Sequence, residues 1–307
     1  MRAANHKSGT FGSDPVLLHS VNFEKQNSRF RQIVQQVAVF LIIQLLVGVC
    51  TECYGQGKET EMNKNDQKNT AVIPVPKLEE DFYNWYARHD QVKALIKEQQ
   101  ADMVFLGCSI MHIFGGKPES SICRGKKTWD KYYGHRNAVN MGFGYDRTQN
   151  VLWRLQNGEF DGISPKIVVL MIGSNNLKET AKARQYAPNE IADGIKAVCK
   201  LIHEKAPACN IVLLGILPRR GNSSQKPDVY VKPIQETNEL IAALGKEEYI
   251  SFLDLKSKFA DAYGLPKRDL MVDEAHPNSK GYRVIAESIE STVAGLMDDK
   301  EVQAVKQ

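Results

Sequence analysis

The chain has little that would place it in a bilayer, on nucleic acid or in a disulfide scaffold. Its longest apolar stretch, residues 37–49 (VAVFLIIQLLVGV), contains Gln44 and Gly48. It falls short of the roughly 20 residues a comfortable membrane span requires. The formal net charge is only +4 over 307 residues. Residues 1–55 hold five basic side chains (Arg2, Lys7, Lys25, Arg29, Arg31) against Asp14, Glu24 and Glu52, which leaves +2 for the rest. A balance so near neutral gives no electrostatic footprint for nucleic acid. Cysteine is sparse, six in all. Cys50 and Cys53 form a CxxC pair with no second pair and no histidines at metal spacing. The other four are Cys108, Cys123, Cys199 and Cys209. A core this large does not require disulfides, and none is assigned. There is no internal repeat, and no long apolar insertion of the lipase-lid kind.

What is present begins with a leader. A polar segment ending in Arg29 and Arg31, a short apolar core at 37–49, and then small residues form the pattern of a secretory signal peptide. Cleavage is expected near Gly55, giving a secreted or periplasmic protein with no stable membrane span. The alternative is an uncleaved N-terminal anchor. Residues 56–77 are polar, rich in Lys, Asn and Glu, and end in Pro74 and Pro76, which is linker composition. The folded domain is expected over 78–298, followed by a polar tail at 299–307.

Within that domain apolar periodicity predicts a regular alternation. Leu78, Phe82, Trp85, Val92 and Ile96 predict a helix over 78–100, with Trp85 and Tyr86 as packing residues. Short apolar runs predict strands at 102–106, 137–141, 166–172, 210–216 and 250–253. Helical spacing recurs at 148–155, at 188–204, around Ile234–Leu244 and at 284–296. Five strands alternating with helices predict an α/β fold, a three-layer α/β/α flavodoxin-like arrangement on a five-stranded parallel sheet. The expected strand order is 2-1-3-4-5, with its switch point between the first and third strands.

Polar turns then fall at the carboxyl ends of neighbouring strands, where such sheets bind ligands. Ser109 follows the first strand, Gly142–Asp146 the second and Asn175 the third. Asp273 and His276, three residues apart after the fifth strand, can share one side of a turn. There the carboxylate can orient the imidazole while the imidazole reaches Ser109. A serine hydroxyl becomes a useful nucleophile only when a neighbouring base takes its proton. Acyl transfer also needs donors aimed at the developing oxyanion. The Asn175 amide and the main-chain N–H groups of Ser109 and Tyr145 are the candidates. Each piece alone also fits an ordinary turn or helix cap.

Together these motifs resemble the SGNH, or GDSL-like, hydrolases over about residues 78–296. The branch they resemble includes the catalytic subunits of platelet-activating-factor acetylhydrolase. The carriers are FLGCSI (105–110), NMGFGYDRTQNVLWRLQNGE (140–159), VLMIGSNN (169–176) and DEAHPNSKGY (273–282). The resemblance implies Ser109 as nucleophile, His276 as base, Asp273 as its orienter and Asn175 as an oxyanion donor, with no cofactor. Two positions depart from the family pattern. Cys108 stands where an aspartate usually braces the serine turn, and Tyr145 stands where the family has a donor glycine. A glycine-like φ at Tyr145 would carry a strain cost. The Cys108 side chain is expected to point away from that of Ser109.

The expected activity is that of an exported serine esterase removing a small acyl group, acetyl foremost, from a carbohydrate or lipid alcohol. Two alternatives stay open, acyl transfer by the same triad and an impaired binding protein on the same fold. Phe143 and Tyr145 are expected to wall a short acyl pocket. The loops 117–127 and 217–232 are expected to recognise the alcohol, with Arg219 and Arg220 able to meet an anionic substrate but read first as solvated surface arginines. The motifs do not specify an oligomeric state.

Overall fold

The computed structural model describes residues 68–297, together with Arg31. The apolar run at 37–49 expected as the core of a signal peptide, the Cys50/Cys53 pair, most of the expected linker and the tail at 299–307 lie outside the described residues. The fold belongs to the unit that begins at Lys68.

Five strands, β1 (Met103–Gly107), β2 (Ala138–Gly142), β3 (Ile167–Met171), β4 (Asn210–Leu214) and β5 (Ile250–Leu253), form one sheet in the order β2-β1-β3-β4-β5. Every pairing is parallel. β1 and β3 are buried along their whole length, which is why they read as continuous apolar runs rather than alternating ones. Their register sets Gly107 level with Met171 on one side and Gly142 on the other. Three loops therefore leave the sheet at one height.

The helices are α1 (Trp85–Gln99), α2 (Ser109–His112), α3 (Lys126–Tyr132), α4 (Thr148–Arg154), α5 (Pro188–Lys205), α6 (Val231–Ala242), α7 (Lys256–Phe259) and α8 (Ser279–Leu296). α4 packs on α5 and α5 on α6, while α3 packs on α8. Right-handed crossovers put these two groups on opposite faces of the sheet. Apolar positions of α5 (Ile191, Ile195, Val198, Ile202) and α8 (Ile285, Ile289, Val293) are buried, so helical periodicity located them well.

The structure corrects the N-terminal part of the domain. α1 starts at Trp85, not at 78, because Asn84 caps it by accepting the Ala87 N–H at 3.0 Å. Leu78 and Phe82 mimic helical spacing, but the segment that carries them is not helical. Phe82 is 48% exposed and stacks on His112, and Tyr86 is half exposed rather than packed away. The stretch 68–77, expected as linker, is docked on the domain. Ala71 is fully buried, its carbonyl accepts from Thr148 Oγ1 at 2.8 Å, and Asn150 Nδ2 donates to the Pro76 carbonyl at 2.7 Å. α8 begins five residues earlier than expected, at Ser279. Asn278 caps it by accepting from the N–H groups of Lys280 and Gly281.

Candidate active site

Ser109 is the first residue of α2, directly beyond β1. The turn that presents it is compact. At Gly142 an added Cβ would lie 2.1 Å from the His112 backbone nitrogen, so only glycine lets β2 approach α2 this closely. The turn lacks an aspartate and is held from other directions. Tyr282 Oη donates to the Ile110 carbonyl at 2.7 Å. Asn140 Nδ2 donates to the carbonyls of Met111 (2.7 Å) and Gly115 (2.6 Å). Cys108 is buried, and burial pushes its thiol up, away from thiolate chemistry.

Ser109 Oγ lies 2.8 Å from His276 Nε2. His276 Nδ1 lies 2.9 Å from each carboxylate oxygen of Asp273. A carboxylate only accepts, so Nδ1 carries the proton and Nε2 turns its lone pair toward the hydroxyl. The Asp273 turn is built for this. Oδ1 accepts the backbone N–H of Ala275 at 2.9 Å and of His276 at 2.8 Å, and the Val272 N–H closes on the His276 carbonyl. Partial burial works against the Asp273 charge. The hydrogen bonds from the His276 side chain and from these backbone groups outweigh it and hold the carboxyl well below its usual range.

Tyr145 sits at φ 62°, in the left-handed region, as the glycine at the corresponding family position suggested. Asn175 Nδ2 donates one hydrogen to the Asp146 carbonyl at 3.0 Å, which leaves its second hydrogen for another acceptor. Asn175 and Tyr145 line one cavity of about 240 Å³ with Ser109, His276, Phe82 and Ile122. A hydroxyl facing an imidazole lone pair, with N–H donors in the same cavity, can support attack on an ester carbonyl. A larger cleft of about 550 Å³ beside Trp129 and Tyr133 contains none of these groups. Among the described residues, no group of three or more His, Cys, Asp and Glu is placed to hold a metal ion.

Beneath the loop after β2 lies a buried ionic network. Asp146 accepts from Trp85 Nε1 and from Arg154 Nε, each at 2.8 Å. Arg154 also pairs with Glu159, whose other oxygen meets His89 Nδ1 at 2.8 Å. Phe143 is fully buried under the Arg154 guanidinium, 3.9 Å from its ring centre. It therefore does not wall the cavity as expected. The aromatic wall consists of Tyr145 and Phe82. Arg219 is likewise no solvated arginine, because it lines the cavity and its Nη1 reaches Ser174 Oγ at 3.3 Å. Of the two expected recognition loops, 117–127 contributes Ile122 and Arg124, and 217–232 contributes Arg219 alone. Phe82, Asp81 and Lys178 also line the cavity and carry no motif. Only Lys178 had a positional signal, three residues beyond Asn175 at the same sheet edge.

A model of the GDSL-like Lipase/Acylhydrolase family matches residues 105–284. Human platelet-activating factor acetylhydrolase IB subunit alpha1 is 31% identical over 233 residues, covering 75% of this chain and 92% of that protein. The rat alpha2 subunit is 28% identical over 242 residues, covering 78% and 96%. A GDSL-like lipase from Bacteroides thetaiotaomicron shares the fold, with a TM-score of 0.53 and 19% identity over 68% of this chain and 97% of that one.

Proposed function

Because the chain belongs to the GDSL-like Lipase/Acylhydrolase family and is a carboxylic ester hydrolase, we propose that Ser109, His276 and Asp273 are its catalytic triad. The observation that carries this reading is the unbroken hydrogen-bond path from Ser109 Oγ through His276 to Asp273. In this mechanism Nε2 takes the hydroxyl proton as Oγ attacks the ester carbonyl. The tetrahedral oxyanion accepts from the N–H groups of Ser109 and Tyr145 and from Asn175 Nδ2. The imidazolium, stabilised by Asp273, then gives its proton to the leaving alcohol. Water attacks the acyl-serine by the same proton route and frees Ser109.

The acyl group proposed is acetyl, and the alcohol a carbohydrate or lipid. The relatives' name, acetylhydrolase, supports the acyl assignment. So does a cavity of only about 240 Å³ whose wall includes Phe82 and Tyr145. Export rests on the leader pattern at 1–55. A mature N-terminus near residue 56 on the exported chain is the expected result, and an intact leader there would contradict cleavage.

The acyl assignment is tested by kcat/KM on p-nitrophenyl acetate, butyrate and octanoate. Each added methylene forgoes the roughly 0.8 kcal/mol its burial could contribute and adds steric overlap. Values should therefore fall steeply with chain length. Equal or rising values toward octanoate would replace the acetyl reading with a lipase-like one.

A further inference from the structure

The segment 69–76 contributes nothing to the wall of the Ser109 cavity, yet it is bonded closely to α4 and α5. Asn69 opens it with a turn. Its Oδ1 accepts the Ala71 N–H at 2.9 Å, and its Nδ2 donates to the Glu190 carbonyl at 3.2 Å. Thr70 Oγ1 meets Tyr186 Oη at 2.7 Å. Ala71, fully buried, offers its carbonyl to Thr148 Oγ1 at 2.8 Å. The Val75 N–H donates to the Gln149 carbonyl at 3.1 Å, so the segment closes over the first turn of α4.

That same turn clamps Asn176, the neighbour of Asn175. Asn176 is fully buried, and its Oδ1 accepts the Thr148 N–H at 3.1 Å. Its Nδ2 donates to Thr148 Oγ1 at 3.2 Å and to Gln149 Oε1 at 3.0 Å. Gln149 Nε2 in turn donates to Tyr186 Oη at 3.1 Å, which returns the path to Thr70. Thr148 Oγ1 has a single proton and two acceptors in reach, the Ala71 carbonyl at 2.8 Å and Gln149 Oε1 at 3.2 Å. Given to Ala71, the proton leaves the Thr148 lone pairs and Gln149 Oε1 free for Asn176. Asn175 has less to hold it. Among the described residues its side chain makes one hydrogen bond, to the Asp146 carbonyl. Its aim therefore depends on the backbone that Asn176 fixes.

We propose that the segment 69–76 is a positioning strap for the oxyanion site, holding Asn175 on target through Thr148 and Asn176, so that turnover depends on its staying docked. This rests on the reading of Asn175 as an oxyanion donor. Such a donor acts only where its hydrogen meets the developing charge, and a misplacement of about 1 Å caused far from the chemistry can cost about 10²-fold. With the strap lifted, the Thr148 proton turns to Gln149 Oε1, the oxygen on which Asn176 Nδ2 also relies. Asn176 loosens, and the Asn175 amide loosens with it.

The test is a double-mutant cycle on the full-length chain, read as kcat and KM for p-nitrophenyl acetate. Ala71→Arg forces a charged side chain into a fully buried position. It should lift the strap, seen as faster amide exchange over 69–76 with the sheet amides still protected. Thr148→Val keeps the shape of the side chain and removes the hydroxyl. Each should lower kcat about tenfold with little change in KM. Thr148→Ser, which keeps the hydroxyl, should turn over like the parent. In the Asn175→Ala background neither substitution should lower kcat further, whereas general damage to the fold would cost the same factor in both backgrounds. Should Ala71→Arg fail to fold or to lift the strap, Thr148→Val decides alone. An unchanged kcat in folded Thr148→Val, or in Ala71→Arg with the strap lifted, would overturn the proposal. So would an equal loss with and without the Asn175 amide, which leaves the oxyanion reading intact as long as Asn175→Ala is itself slow. Near-normal turnover by Asn175→Ala removes the oxyanion reading and the strap with it.

Discussion

Gly144 donates its backbone N–H to Nδ1 of His112 at 3.2 Å, which ties the loop carrying Tyr145 to the helix that starts at Ser109. To accept, Nδ1 must be unprotonated. Burial, reinforced by the charges of Arg88 and Arg154, pushes the His112 imidazole down to about 2. The rings of Phe82 and Tyr83 pack against it, the Tyr83 centroid at 4.4 Å. His112 is thus a positioning residue, a neutral brace between the two loops.

This brace makes stability depend on pH with a defined sign. The unfolded chain takes up a proton at His112 as pH falls through about 6.5, whereas the folded chain does not until far lower. Its contribution is therefore complete above that value and is lost progressively as pH falls toward the folded-state value. Each pH unit removes about 1.4 kcal/mol, so a shift to about pH 5 removes about 2 kcal/mol. Urea unfolding at neutral pH and near pH 5 measures it. His112→Asn keeps an acceptor but not the titration, so its stability should depend less on pH. The same dependence in both chains would remove His112 from the account.

The oxyanion donors can be separated by substitution. Asn175→Ala should lower kcat about 10²–10³-fold, the magnitude for one such donor, with little change in KM. Tyr145→Gly keeps the main-chain N–H and relieves a left-handed conformation that costs a non-glycine residue roughly 1–2 kcal/mol. Thermal stability should hold or rise, and turnover should hold or rise with it. If Tyr145→Gly stays folded but loses activity, the phenol ring itself engages substrate.

Some of this architecture could be read directly from the residues, and the rest could not for physical reasons. β3 is buried on both faces, so its run of apolar residues had one reading, and its observed ends fall within one residue of those expected. Ser109 and Asn175 each follow a strand end, and the parallel topology gathers strand ends on one edge, whereas Asp273 and His276 come well beyond β5, in the turn before α8. The helix over 78–100 went wrong because Leu78 and Phe82 follow helical spacing, while the stronger local signal was the cap at Asn84. Phe143 was misplaced because an aromatic in a glycine-rich turn gives no hint of which way it points. Here it points inward under Arg154. Arg154, Glu159, Asp146 and His89 are charged or polar, and only the tertiary fold turns their spacing into a buried network. Lys178 and Arg219 come from different loops, and only the fold brings both to the wall of the Ser109 cavity.

In the proposed mechanism Ser109 is the nucleophile and His276 activates it. The most direct measurement is mass-spectrometric mapping of a fluorophosphonate adduct on the intact chain, beside turnover of p-nitrophenyl acetate. The adduct should map to Ser109 and be absent in Ser109→Ala. Adduct formation should be strongly slowed in His276→Ala, with both variants folded and turnover reduced by roughly 10³-fold or more. An adduct on another residue, or near-normal turnover by folded Ser109→Ala, would contradict it.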